Sequence, residues 1–233
     1  MPTARERKME IRAELPSGTP AGGACSATLP DITATPLTTE EMLSWGRYPR
    51  TVHHHVHKPA WNDQLPEILK AAANSFLLPR GLGRSYGDSC LNAGRDLIDC
   101  RRLNRFLAFD ESTGVLRCEG GVSLSDILEI FLPKGWFLPV TPGTRFVTIG
   151  GAIANDVHGK NHHCAGTFGS HVLQICLRRS NDGLMFCSSK ENPDMLGATI
   201  GGLGLTGVIA WADIQLKRVT GPWIDAETIP FES

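Results

Sequence analysis

From Ser123 the chain reads SLSDILEIFLPKGW, and its apolar residues Leu124, Ile127, Leu128 and Phe131 recur at i, i+3, i+4 and i+7. That spacing predicts an amphipathic helix, with Ser123 and Asp126 as a capping box and Pro133 and Gly135 ending it. The next apolar run, WFLPV at residues 136–140, predicts a buried strand. Near the end, Ala212, Ile214 and Leu216 alternate with Asp213, Gln215 and Lys217, which predicts a half-buried strand. Residues 171–179 and 184–189 flank Asn181, Asp182 and Gly183, so a β-hairpin is expected there. A helix over 66–74, an apolar strand over 76–78, and short strands over 96–100, 105–110 and 115–119 complete the pattern, with a further short helix opening at Pro193. Helices and strands interleave without a regular βαβ rhythm and without a repeat, so the fold class is α+β rather than doubly wound.

Residues 1–36 break this patterning. Their Pro, Gly, Ser, Thr and Ala bias cannot bury enough apolar surface to offset ordering entropy, and a disordered tail is expected. In residues 37–60, Trp45 and Tyr48, with Trp61 just beyond, are suited to anchoring a segment that covers a core. The run HHHVH, with His53, His54, His55 and His57, could bind metal, but without a partner cluster in the sequence it reads as an exposed or tag-like polar stretch.

Composition narrows the function classes. The 233 residues carry 23 basic and 24 acidic side chains, a net charge of −1, which leaves no electrostatic footprint for nucleic acid. No apolar run approaches the roughly eighteen residues of a membrane helix, and the N-terminus lacks the apolar core of a signal peptide, so a cytoplasmic protein is expected. Seven cysteines, an odd number without CxxC spacing, are expected to be reduced and mostly structural.

Glycine concentrates at residues 79–89, 142–153 and 197–209. Each stretch could present main-chain N–H groups to phosphate, or could simply be a tight turn. The third holds Gly202, Gly204 and Gly207 in a formal GxGxxG, but a helix precedes it and a strand follows, the reverse of a dinucleotide-binding unit. A turn between helix and strand is the expectation there. The first two stretches also carry arginine, Arg80 or Arg84 and Arg145, and would suit a diphosphate held from two sides. No GxxxxGK[ST] occurs.

His158 and His162 stand at i and i+4, as metal ligands on a helix would, yet Gly159 and Asn161 between them are poor helix formers and no HExxH glutamate is present. No metal ligand set is therefore assigned. A histidine beside a cofactor, or one satisfied by neighbouring backbone, are the two readings left.

RGLGRSYGD, then PVTPGTRFVTIGGAIANDVHGKNHH, GTFGSHV and TIGGLGLTGVI, in one order over about residues 60–220, closely resemble the FAD-binding half of vanillyl-alcohol-oxidase type (PCMH-type) flavoenzymes. Within them the chain is most similar to the decaprenylphosphoryl-β-D-ribose oxidase group, related to aldonolactone oxidases. The resemblance implies a two-subdomain FAD-binding domain over 61–219, the first subdomain running to about residue 101 and the second from about 103 to 217. It implies FAD held non-covalently between them. Pro79, Arg80, Gly81, Leu82, Gly83, Arg84, Ser85, Tyr86, Gly87, Asp88 and Ser89 would wrap the pyrophosphate. Gly143, Thr148, Ile149, Gly150 and Gly151 would complete the phosphate and flavin contacts, Asn155 and His158 would approach the flavin, and Val208 or Ile209 would meet the adenine end. His158 and Lys160 would lie on the substrate side, where the partner is a sugar or polyprenyl-phosphate sugar. Family members continue into a substrate domain, so residues 220–233 are expected to mark its start, the chain to be truncated before it, and a separate substrate domain or a reductase to be a possible partner. The implied reaction is oxidation of a sugar hydroxyl to a keto group; the alternative is a non-catalytic FAD-binding fragment or split-gene half.

Overall fold

The computed structural model describes residues 42–72, 76–180 and 183–230. The expected tail at 1–36, and the hairpin turn residues Asn181 and Asp182, lie outside these.

Two sheets organise the chain. The first has three parallel strands in the order β1 (Val56–His57), β3 (Asp96–Asp99), β2 (Leu77–Arg80), with α1 (Leu65–Ala71) between β1 and β2 in sequence. Leu65, Ile68 and Leu69 of α1 pack against Ile98, Cys100, Leu103 and Val208. On another side, Val56, Leu78 and Leu97 bury Met42 of the leading segment. Arg80 ties that segment down: its Nη2 donates to the Leu43 carbonyl at 2.8 Å.

The second sheet has five antiparallel strands in the order β4 (Phe106–Asp110), β5 (Val115–Glu119), β9 (Val208–Gln215), β7 (Val172–Arg179), β8 (Gly183–Ser188). On it lies the main core, built by α2 (Leu124–Phe131), β6 (Trp136–Phe137) and α3 (Ile149–Ala154). Ser123 caps α2 as expected: its Oγ accepts from Asp126 N–H at 3.1 Å while Asp126 accepts from Ser123 N–H at 3.2 Å. A four-residue turn of helix, α4 (His162–Ala165), the helix α5 (Pro193–Thr199) and the short strand β10 (Lys217–Arg218), which pairs with β6, finish the architecture. Parallel and antiparallel sheets with helices segregated among them are the expected α+β class. Among the described residues no helix is long and apolar enough to cross a membrane.

Several elements differ from expectation. The strand predicted over 136–140 is only two residues long, because Pro139 has no N–H to give a ladder; Leu138 and Val140 are still fully buried. β9 is not half-buried. It is the central strand, flanked by β5 and β7, and even its polar residue Asp213 is covered, through a two-bond pair with Arg117 at 2.7 Å each. The histidine run is not a loose polar stretch either, since Val56 and His57 form the edge strand β1, in register with Leu97 and Ile98.

Candidate dinucleotide-binding cleft

A cavity of about 1070 Å³ opens between the loop that leaves β2 and the face made by α3 and the start of β9. One wall is that loop. It is held from behind by Trp45 N–H, which donates to the Ser85 carbonyl at 3.1 Å, while the Arg84 guanidinium lies 5.5 Å over the Trp45 ring. Gly83 has φ +64°, a conformation that favours glycine. Among the described residues, no protein acceptor meets the main-chain N–H groups of Leu82, Gly83 and Arg84. Main-chain donors left unpaired in a loop that lines a cleft are what an anionic oxygen would satisfy.

The other wall has no such donors to spare at the head of α3. Ile149 N–H donates to the Val122 carbonyl at 2.8 Å, Gly150 N–H to the Gly120 carbonyl at 2.7 Å, and Gly151 N–H to the Thr148 hydroxyl at 3.1 Å. Glycine is used here for close approach: a Cβ on Gly150 would sit 3.1 Å from the Gly120 carbonyl, and one on Gly81 would collide with the Thr148 side chain. The Ser85 hydroxyl reaches Asn155 Oδ1 across the cleft at 3.5 Å.

Between the walls the cleft is lined mostly by apolar surface. Cys90 and Cys100 contribute to it, each 8% exposed, and burial raises both thiols, Cys100 to about 12. Arg80 is also buried, which lowers its guanidinium below the ordinary arginine value, and its Nε meets no partner among the described residues. The mouth is lined by exposed rings and side chains: Tyr86 at 80% exposure, Phe146, Leu203 and Trp45.

The structure brings most of the expected residues together. Residues 79–86, Ser89, Gly143, Thr148, Gly150, Gly151, Asn155, His158 and Ile209 all line the cleft. Gly87, Asp88, Ile149, Lys160 and Val208 do not. Ile149 is turned into the main core, Val208 packs under α1, and Lys160 is exposed outside the cavity. Of the expected arginines, Arg80 and Arg84 line the cleft, although Arg80 gives Nη1 and Nη2 to the Gly81 and Leu43 carbonyls, whereas Arg145 does not line it and lies over the Phe146 ring.

His158 stands exposed at the mouth in an isolated bridge with Thr167, and its ring is 5.5 Å from that of His162. The two are not on one helix, since α4 begins at His162. Gly159 between them is required by the Thr141 carbonyl, which a Cβ would approach to 2.6 Å.

Residues missed from the sequence include Trp45, Cys90, Cys100, Gly120, Phe146 and the turn Leu203, Gly204 and Gly207. That last turn is the GxGxxG stretch, and it does join a helix, α5, to a strand, β9. Its glycines were the signal available, and the wrong secondary-structure context hid it; in the structure Gly204 (φ +80°) and Gly207 (φ +143°) take conformations that favour glycine.

The cavity is large enough for a dinucleotide. One donor-rich loop wall, an apolar floor and an orphaned Arg80 Nε suit a ligand with a diphosphate in its middle and flat rings at its ends.

Comparison with known proteins gives a consistent match. Residues 54–186 match the model of the FAD binding domain. The chain is 40% identical to decaprenylphosphoryl-beta-D-ribose oxidase of Mycolicibacterium smegmatis over 210 residues, which cover 85% of this chain and 46% of that protein. It is 25% identical to D-arabinono-1,4-lactone oxidase of Candida glabrata, over 76% of this chain and 34% of that one, and 25% identical to cytokinin dehydrogenase 6 of Oryza sativa subsp. japonica, over 77% and 36%. The chain thus spans less than half the length of these relatives.

Proposed function

The chain belongs to the FAD binding domain family, and from that premise we propose that it supplies the FAD-binding half of an oxidoreductase that converts a hydroxyl of a sugar, or of a polyprenyl-phosphate sugar, to a keto group. The observation that carries this reading is the cleft itself, lined on one side by a loop whose N–H groups have no acceptor among the described residues and on the other by a tightly packed glycine wall. The substrate class follows from the names of the relatives in the group.

FAD, when bound, supplies the two-electron acceptor for such a reaction. The protein's part is to bind and orient. The N–H groups of Leu82, Gly83 and Arg84 would hold the diphosphate, Ile209 and the Gly204–Gly207 turn would line one end, and Asn155 would bridge the walls. We assign His158 to the substrate side, where an imidazole nitrogen at the open mouth can receive a hydroxyl proton. Lys160, outside the cavity, is given no contact with the cofactor. Attachment is proposed to be non-covalent.

We propose a covering segment at 37–60 and an FAD-binding domain at 61–219, with 220–233 leading toward a substrate-binding part. The whole reaction is assigned to this chain together with such a part, continuous with it or separate.

The test is an absorbance spectrum of the purified chain after incubation with FAD and desalting, taken before and after acid precipitation. Bands near ~370 and ~450 nm that appear in the acid supernatant are expected of a released flavin. A colourless protein after desalting would overturn the reading, and colour that stays with the precipitate would overturn the non-covalent part of it.

A further inference from the structure

Outside the residues that line the cleft, a histidine cluster closes on one carboxylate. His54 Nδ1 and His55 Nδ1 each lie 3.3 Å from Asp96 Oδ1, and His57 Nε2 lies 3.5 Å from Asp96 Oδ2. One ligand atom from each of His54, His55 and Asp96 falls within 4.8 Å of the others.

This convergence is built by the backbone. In a regular strand, adjacent side chains point to opposite faces, so neighbouring histidines would diverge. A bend at His54 turns its ring onto the side of His55, and the two rings stand edge to face with centroids 4.0 Å apart. His57, two residues on, shares the face of His55. Main-chain bonds on both sides of the site lock the run to the Asp96 strand: His54 N–H donates to the Arg95 carbonyl and Leu97 N–H to the His55 carbonyl, both at 2.9 Å.

Asp96 is the anchor. Its side chain is only 6% exposed, and its ionic partners among the described residues are these histidines alone. A buried carboxylate needs donors or a cation. His57 Nε2 is itself buried without a hydrogen-bond partner among the described residues.

We infer that His54, His55 and Asp96, with His57 beside them, bind a divalent transition-metal ion, zinc in the first place, that staples the β1 edge to β3. Imidazole nitrogen plus carboxylate oxygen is a donor set for zinc, nickel or copper rather than for magnesium or calcium. Ligand atoms at ~2.0–2.1 Å from a tetrahedral zinc stand roughly 3.3 Å from one another. The two histidine-to-Asp96 separations already have that value, so only the His54–His55 pair has to close. The ion would hold the segment that carries Trp45 to the cleft wall, a structural role independent of the flavin chemistry.

The experiment is zinc binding by equilibrium dialysis on the whole chain, with melting temperature as a second readout. One zinc per chain and a rise of about 5 °C at saturating metal are expected, from mass action on a chain of this size. His54→Gln, at a side chain 68% exposed, should fold normally and lose at least tenfold in affinity, as should His55→Gln and Asp96→Asn. His53→Gln should not, because His53 is not among the side chains that converge on Asp96. Equal losses from His53→Gln and His54→Gln would mean loose, tag-like binding and would overturn the site. So would unchanged affinity in His54→Gln, or loss instead in His163→Gln, which tests the exposed group His162, His163 and Cys164 near the cleft mouth.

Discussion

The two walls of the cleft are both rich in glycine, but they use it differently. In the loop wall, Gly83 is there for its positive φ, and the neighbouring N–H groups are left without protein acceptors. In the α3 wall, Gly120 and Gly150 are there because main chains touch, and the first N–H groups of the helix are all spent inside the protein. A glycine-rich sequence at a helix start is therefore not enough to locate an anion site. What matters is which N–H groups remain unpaired after folding. In the function proposed above, the loop wall would recognise the diphosphate and the α3 wall would give it a rigid backing.

The largest effect should come from the packed wall. A Cβ on Gly120 would collide with the Ile209 main-chain carbonyl, which no side-chain rotation can relieve. Gly120→Ala is expected to cost about 3 kcal/mol or more, read as a drop in denaturation midpoint, and to abolish FAD binding together with the fold. Next comes the loop wall. Gly83→Ala forces a φ of +64° on a residue with a side chain and crowds the Arg80 guanidinium. It should cost about 1–2 kcal/mol of stability. It should also weaken FAD binding at least tenfold per folded molecule. If affinity survives while stability falls, the two walls do not differ as argued.

Much of this was legible in the chain. The i, i+3, i+4, i+7 set fixed α2, and the order of motifs placed residues 79–86 and Gly150 together because local patterning and tertiary packing agree there. The rest depends on events the sequence does not display. Val208 and Ile209 are equivalent by pattern, yet on the central strand one faces α1 and the other the cleft. Arg80 looked like a phosphate ligand, but a Leu43 carbonyl thirty-seven residues earlier takes its Nη2, leaving its Nε without a partner among the described residues. HHHVH looked loose because its partner, Asp96, is about forty residues away and only strand pairing brings it close.

A smaller effect should separate packing from recognition at Thr148. Its hydroxyl accepts from Gly151 N–H at 3.1 Å and caps α3, while its side chain crowds the position above Gly81. Thr148→Val removes the acceptor and should cost about 1 kcal/mol, whereas Thr148→Ser should keep most of it. FAD affinity per folded molecule should change little in either variant. A tenfold loss in Thr148→Ser would show that the α3 wall takes part in recognition after all.

The smallest effect concerns the floor between the walls and appears only at alkaline pH. Burial pushes the Cys100 thiol from 9.0 up to about 12, and it raises Cys90 as well, although the Arg80 charge opposes this. As pH rises through 9.0, the unfolded chain gives up these protons while the folded chain keeps them, so the unfolded state is favoured and stability falls. Below that pH both states hold the proton and the thiols contribute no slope. The loss should continue up to about 12, where the folded thiol at last ionises. Cys100→Ala should leave the melting temperature near neutrality almost as it was, since the side chain is small, but should flatten its decline with alkali. Alkylation gives the matching readout: exposed Cys164 should react before Cys100 or Cys90 in the native chain. If Cys100 reacts as quickly as Cys164, the floor is open to solvent, and the free N–H groups of the loop would then be paired with water rather than held ready for a ligand.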